Sequence, residues 1–198
     1  RRMSSHTQDL VFEVFKDYGV LSLAEKWDCP LMWSHYADNH SGICIEYDMR
    51  QSEFTELRPV SYQRPRSINL SDVMAWVTSE SPEARDKILS TFFFAKAPQW
   101  KYEREWRSIS KSNGPEHAPV DISAFYFGLR CDPSVMDAIV KLYRPTPAPI
   151  KFYALRAKDE TFGLERHLLD AEEIVQMPVQ RSAILEFRDV FVDETQSE

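Results

Sequence analysis

Glycine is scarce in this chain: there are five in 198 residues. No G-x-x-x-x-G-K-[ST] loop and no G-x-G-x-x-G turn occurs, so the usual glycine cradles for phosphate are excluded. No G-x-S-x-G element occurs either, which removes the strand-to-helix elbow of the esterases. Cysteine is almost as rare. Cys29, Cys44 and Cys131 are odd in number and far apart, and no C-x-x-C occurs. That excludes a disulfide framework and points to a reducing, cytoplasmic setting with small buried thiols. No apolar run approaches the ~20 residues of a membrane span, and no basic-then-apolar leader opens the sequence. Positive charge is in deficit: the formal net charge is −7. A net acidic domain is a poor generic binder of nucleic acid.

What remains is a chain long enough to bury a core without disulfides or metals. From Ser4 to Gly19, Leu10, Val11, Val14, Phe15 and Tyr18 recur at helical spacing, and the glycine is a natural stop. Val20–Leu23 reads as a strand, Pro30 opens a short helix that ends by Gly42, and Ile43, Ile45 and Tyr47 alternate as a strand does. Val60–Tyr62 reads as another strand. Residues 71–97 read as helical in two pieces, with Ser71 and Asp72 as caps of the first. The second starts on Ser81, Pro82 and Glu83, and Pro98 stops it. Strands are expected over 99–110, 122–129, 150–156 and 183–190, a helix from Asp132 and Pro133, and a polar tail over 193–198. Short strands and helices without a βαβ rhythm predict an α+β fold: a mixed, mainly antiparallel sheet, split or single, flanked by short helices. The expected organisation is one domain over 1–156 and a C-terminal extension over 157–198.

Two stretches stand out chemically. In "WKYEREWR", Trp100 to Arg107, a strand would place Trp100, Tyr102, Arg104 and Trp106 on one face. Lys101, Glu103, Glu105 and Arg107 would lie on the other, with the two carboxylates roughly 7 Å apart. The aromatic face is then expected in the core and the charged face outside. Such a face is ordinarily solvated and paired across strands. A carboxylate there could also stabilise an oxocarbenium-like transition state, with the second orienting the acceptor. A metal nuclease would want lysine two after the acid, where this chain has Arg107.

In "WSHYADNH", Trp33 and Tyr36 offer stacking faces, and Ser34, His35 and His40 offer polar contacts, so the segment reads either as core packing or as a ligand wall. His35 and His40 are five apart, whereas two metal ligands on one helix face want four, so no metal is expected.

The order "LSLAEKWDCPLMWSHYADNHSGICIEYD", "VSY", a long helical stretch and "KYEREWR" resembles the bacterial domain-of-unknown-function family 2971 over roughly residues 18 to 156. That family's pattern has N-P-L-M-W-x-H-Y-A-x-x-H-x-G-x-C-I-x-F-D. Here Cys29 stands for the asparagine and Tyr47 for the phenylalanine. The family's layout is in turn loosely similar to the ADP-ribosyltransferase fold. That looser likeness implies NAD as co-substrate, with Glu105 as the catalytic glutamate and Glu103 on the acceptor side. Trp33, Ser34, His35, Tyr36, His40 and Arg107 would then contact the nucleotide. The alternatives are a non-catalytic binding or partner-recognition domain and, more distantly, a nuclease. ADP-ribosyltransferases hold NAD with a histidine or arginine on a first strand, whereas here one helix containing His6 precedes Val20. The chain therefore reads as a trimmed excerpt or as a member that lost that element.

Overall fold

The computed structural model describes residues 5–52, 54, 57–114, 120–146 and 149–176. The chain divides into two compact units, Arg1–Trp27 with Arg50–Val120, and Asp28–Met49 with Asp121–Glu198. Both mix strands and helices, as an α+β fold requires, and the strands form two separate sheets.

The first unit holds α1 (Ser5–Phe15), β1 (Gly19–Ala24), β3 (Leu57–Pro59), α3 (Leu70–Ser79), α4 (Pro82–Phe93) and β4 (Glu105–Ser110). Its sheet runs β1–β4–β3, antiparallel throughout, with Ser22 and Arg58 both opposite Arg107, and Leu23 and Pro59 both opposite Trp106. The core is helical: Val11, Phe15, Val73, Ile88, Leu89, Phe93 and Phe94 are buried together, with Ile109 of β4 packed on them. α4 starts as its sequence predicts. Pro82 is in the first turn, and the Ser81 hydroxyl accepts the Ala84 N–H at 3.3 Å. α3 opens one step earlier than expected, with Asn69 rather than Ser71 or Asp72 at the cap position.

Two strand expectations in this unit are corrected. Residues 99–110 are not one strand. Pro98–Glu103 is a 3₁₀ helix, Arg104 adopts the left-handed conformation (φ 46°), and only Glu105–Ser110 is extended. Pro98 at the first helical position favours the turn, and the Arg104 N–H closes it on the Lys101 carbonyl. The expected polarity is inverted as well: Trp106 is 36% exposed, while Glu103 and Glu105 are 3% and 7% exposed. The strand expected at Val60–Tyr62 lies at Leu57–Pro59. The Val60 N–H still bonds the Glu105 carbonyl, but Ser61 leaves the sheet to exchange hydrogen bonds with Phe94 and Lys96.

The second unit holds α2 (Pro30–Tyr36), β2 (Ile43–Asp48), β5 (Asp121–Phe127), α5 (Pro133–Tyr143), β6 (Lys151–Ala157), β7 (Leu164–Leu168) and α6 (Ala171–Gln176). Its sheet runs β2–β5–β6–β7. β5 and β6 are parallel, joined through α5 as a parallel pair must be, and the outer pairs are antiparallel. Phe125, Phe127, Val140 and Phe152 form its core. α5 begins on Asp132, whose carboxylate accepts the Ser134 N–H at 2.8 Å. The strand expected over 183–190 and the tail over 193–198 lie outside the described residues.

Candidate functional site

The densest chemistry of the first unit surrounds the start of β4. After α4 the chain passes Phe94 and Lys96, winds through the 3₁₀ turn and re-enters as β4. This brings Lys96, Glu103, Glu105 and Arg107 together although no helix or strand carries all four. Lys96 Nζ donates to Glu103 and, at 2.9 Å, to Glu105. Arg107 donates to both oxygens of Glu105, through Nε at 2.7 Å and Nη2 at 3.1 Å, and through Nη1 to the Phe93 carbonyl at 2.5 Å. The Ser22 hydroxyl donates to Glu105 as well. The Glu105 N–H is held by Tyr62 Oη at 2.9 Å, and the Lys96 ammonium lies 5.2 Å from the Trp100 ring centroid.

Electrostatics follow from this packing. Burial alone would push the Glu105 carboxyl up, but hydrogen bonds from Arg107, Lys96 and Ser22, with the Arg107 charge, hold it below the ordinary value. Burial alone would lower Lys96, but its two carboxylates leave it above the ordinary ammonium value. The cluster is formally neutral, two acids with two bases, and the lowered Glu105 and raised Lys96 values keep that pair charged near neutral pH.

The "WSHYADNH" segment belongs to the second unit. Trp33 is buried, 3% exposed, and is a core residue, whereas His35 and Tyr36 are exposed and stand edge to face with ring centroids 6.3 Å apart. Ser34 and His40 are brought together, Oγ to Nε2 at 3.1 Å, and Ser34 Oγ also lies 3.1 Å from the Pro30 carbonyl. Asp38, Asn39 and His40 are all left-handed.

Some residues of these sites escaped the sequence reading. Lys96 carried a signal: a lone cation directly after "FFFA" is hard to solvate, and buried lysine is rare unless paired. Ser22 and Tyr62 carried none, since a serine or tyrosine in a short strand is ordinary. In the second unit a network across all four strands was likewise missed. Tyr126, fully buried, donates to Glu46, accepts from Arg166 and stacks on Tyr153, while Ser123 donates to Glu46 at 2.8 Å. Burial, then the Glu46 carboxylate, pushes the Tyr126 phenol well up, so it acts as a neutral donor. Burial pushes the Cys44 thiol up to about 11, which leaves it protonated and poorly nucleophilic.

Among the described residues no helix is long and apolar enough to cross a membrane. No group of three or more His, Cys, Asp or Glu among them is set to hold a metal.

An α+β chain with a buried, neutral Glu–Lys–Glu–Arg cluster at the head of one strand is the class that fold and site define. Residues 32–108 match the family described as "Protein of unknown function (DUF2971)", a span that includes the "WSHYADNH" segment and the whole cluster except Ser22. No curated protein and no solved structure matches the chain, so the looser likeness to the ADP-ribosyltransferase fold has no matched structure behind it.

Proposed function

We propose that this chain is a binding or partner-recognition domain in which Glu103 and Glu105 fasten the 3₁₀ turn to the sheet. The observation that carries this reading is the engagement of Glu105: both oxygens accept from cations, and the residue is 7% exposed. A carboxylate that stabilises positive charge developing on a sugar must present uncompensated negative charge to it. Here Lys96 and Arg107 have already taken that charge up.

The competing reading is an NAD-using ADP-ribosyltransferase or NAD glycohydrolase driven by Glu105, with Glu103 on the acceptor side. Arg107 would then contact NAD. Two observations support it: the hydroxyl on Glu105 from Ser22 of the neighbouring strand, and the two acids converging on one lysine. Nicotinamide release and the thermal midpoint with and without NAD separate the two. The binding-domain reading expects no nicotinamide release. It also expects Glu105→Gln to lower the midpoint by on the order of 10 °C, because it breaks a buried ion network. Nicotinamide release by the wild type that Glu105→Gln abolishes at an unchanged midpoint would establish the enzyme reading instead.

A further inference from the structure

We propose that this chain forms a two-fold dimer by pairing β1 with β1 of a second copy. This goes beyond the binding-domain reading and stands apart from the roles of Glu103 and Glu105. The two sheets have four outer strands, β1 and β3 in the first, β2 and β7 in the second. An outer strand presents unpaired backbone N–H and C=O groups and invites another chain unless something blunts it. Three of the four are blunted. β3 is three residues long and carries Arg58 and Pro59. β2 is broken by a register shift between Glu46 and Tyr47 and ends on Asp48. β7 carries Glu165, Arg166 and His167 in succession. β1, "GVLSLA", has six residues with no charge, no proline and no register shift against β4. It is also open: Val20 is 45% and Leu21 36% exposed, and Ser22 and Ala24 are exposed as well. Among the described residues its one strand partner is β4.

The ladder fixes which groups a second copy would meet. The Glu25 N–H bonds the Arg104 carbonyl, and the register runs on from that pair through Leu23–Trp106 and Leu21–Ser108. Antiparallel ladders alternate, so Gly19, Leu21 and Leu23 turn their backbone groups to β4, and Val20, Ser22 and Ala24 turn theirs outward. A two-fold axis beside Ser22 sets β1 antiparallel to its copy, with Ser22 opposite Ser22 and Val20 opposite Ala24. The three outward residues of each strand then occupy hydrogen-bonded positions, and six backbone bonds close. The side chains match in the same register. Leu21 faces Leu23 of the copy on one side of the sheet, and Val20 faces Ala24 of the copy on the other. Of the charges at the strand's ends, Glu25 is turned to Arg104 of its own chain at 3.5 Å, while Asp17 lies two residues before the strand and Lys26 two after it. Antiparallel pairing brings the Asp17 end of one strand beside the Lys26 end of the other. The result is a continuous six-stranded sheet that symmetry closes to further addition at β1. Six strand residues a side cover less than the ~1,200 Å² of a stable interface, so the dimer is reversible, with a Kd on the order of tens of micromolar.

The test is sedimentation equilibrium of the full chain from about 10 to about 500 µM. The expected result is a reversible shift from 23.2 kDa to twice that mass, with no larger species. Val20→Pro keeps the bonds to β4, since the Val20 N–H points outward, and removes two of the six between copies. It should weaken association by at least about tenfold. Leu21→Lys is the second variant: it leaves the backbone intact, sets a charge opposite Leu23 of the copy, and should weaken association likewise. Circular dichroism checks that each variant is folded, and Val20→Thr, which keeps the N–H, should dimerise as the wild type does. In the wild type, amide exchange at Val20, Ser22 and Ala24 should slow as concentration rises, while exchange at Leu21 and Leu23 is slow throughout. A mass of one chain at every concentration, growth beyond the dimer, unchanged association in either folded variant, or exchange at Val20, Ser22 and Ala24 that ignores concentration would each overturn the proposal.

Discussion

Lys96 is the residue on which the charge cluster turns. It sits between two carboxylates that are each under a tenth exposed, and its own side chain is 19% exposed. Without the ammonium, two neighbouring carboxylates would share one poorly solvated place and one of them would take up a proton. Breaking a buried ion network from one side costs about 3–5 kcal/mol. Lys96→Met should therefore destabilise by about that much at pH 7 in urea unfolding, and the deficit should shrink towards pH 5 as the freed carboxyl protonates. A deficit under ~1 kcal/mol, constant with pH, would show that the pairs behave as exposed ones.

At the scale of the element, the segment between α4 and β4 shows what local pattern can and cannot convey. The helix start at Ser81-Pro82-Glu83 and the capped start of α5 were legible because capping is a local interaction between residues two or three apart. The strand Ile43–Asp48 was legible because its alternation runs with no competing signal. "WKYEREWR" alternates just as cleanly, yet its first half is a 3₁₀ turn. Period-2 patterning reports burial only when charged residues face water, and here the glutamates find their partner in Lys96, seven and nine residues upstream. The acids themselves were legible as candidates, but the lysine that joins them was not. Arg104 gives the corresponding test. At φ 46° an arginine is strained and glycine is not, and its pairing with Glu25 at 3.5 Å joins two groups that are each 53% exposed. Arg104→Gly should leave stability unchanged or raise it by up to ~1 kcal/mol. A continuous strand would instead lose ~0.5–1 kcal/mol to the glycine, and the thermal midpoint distinguishes the two by sign.

For the whole molecule the acidic balance and the buried cluster pull in different pH ranges. The chain carries a formal −7 at pH 7, with an isoelectric point near 5.3, so acidifying from 7 towards 5.3 relieves self-repulsion. Over that range the cluster stays intact. Glu105 has a folded pKa below its ordinary 4.5, so its contribution is present above 4.5 and is lost only as pH falls through the lower folded value. Lys96 has a folded pKa above its ordinary 10.5, so its contribution is full below 10.5 and is lost only as pH rises through the higher folded value. Stability should therefore be level or slightly rising from pH 7 to about 5.5, then fall steeply below pH 4. Added salt should raise the pH 7 midpoint by screening the net charge over a Debye length of ~10 Å at 0.1 M. It should leave the wild-type-minus-Lys96→Met difference nearly unchanged, because buried pairs are screened far less. Thermal unfolding of both proteins at 0.05 and 0.5 M salt, across pH 3 to 8, measures all three. If salt erased that difference, the cluster would be solvated at the surface, and Glu105 would regain the uncompensated exposure that a catalytic carboxylate needs.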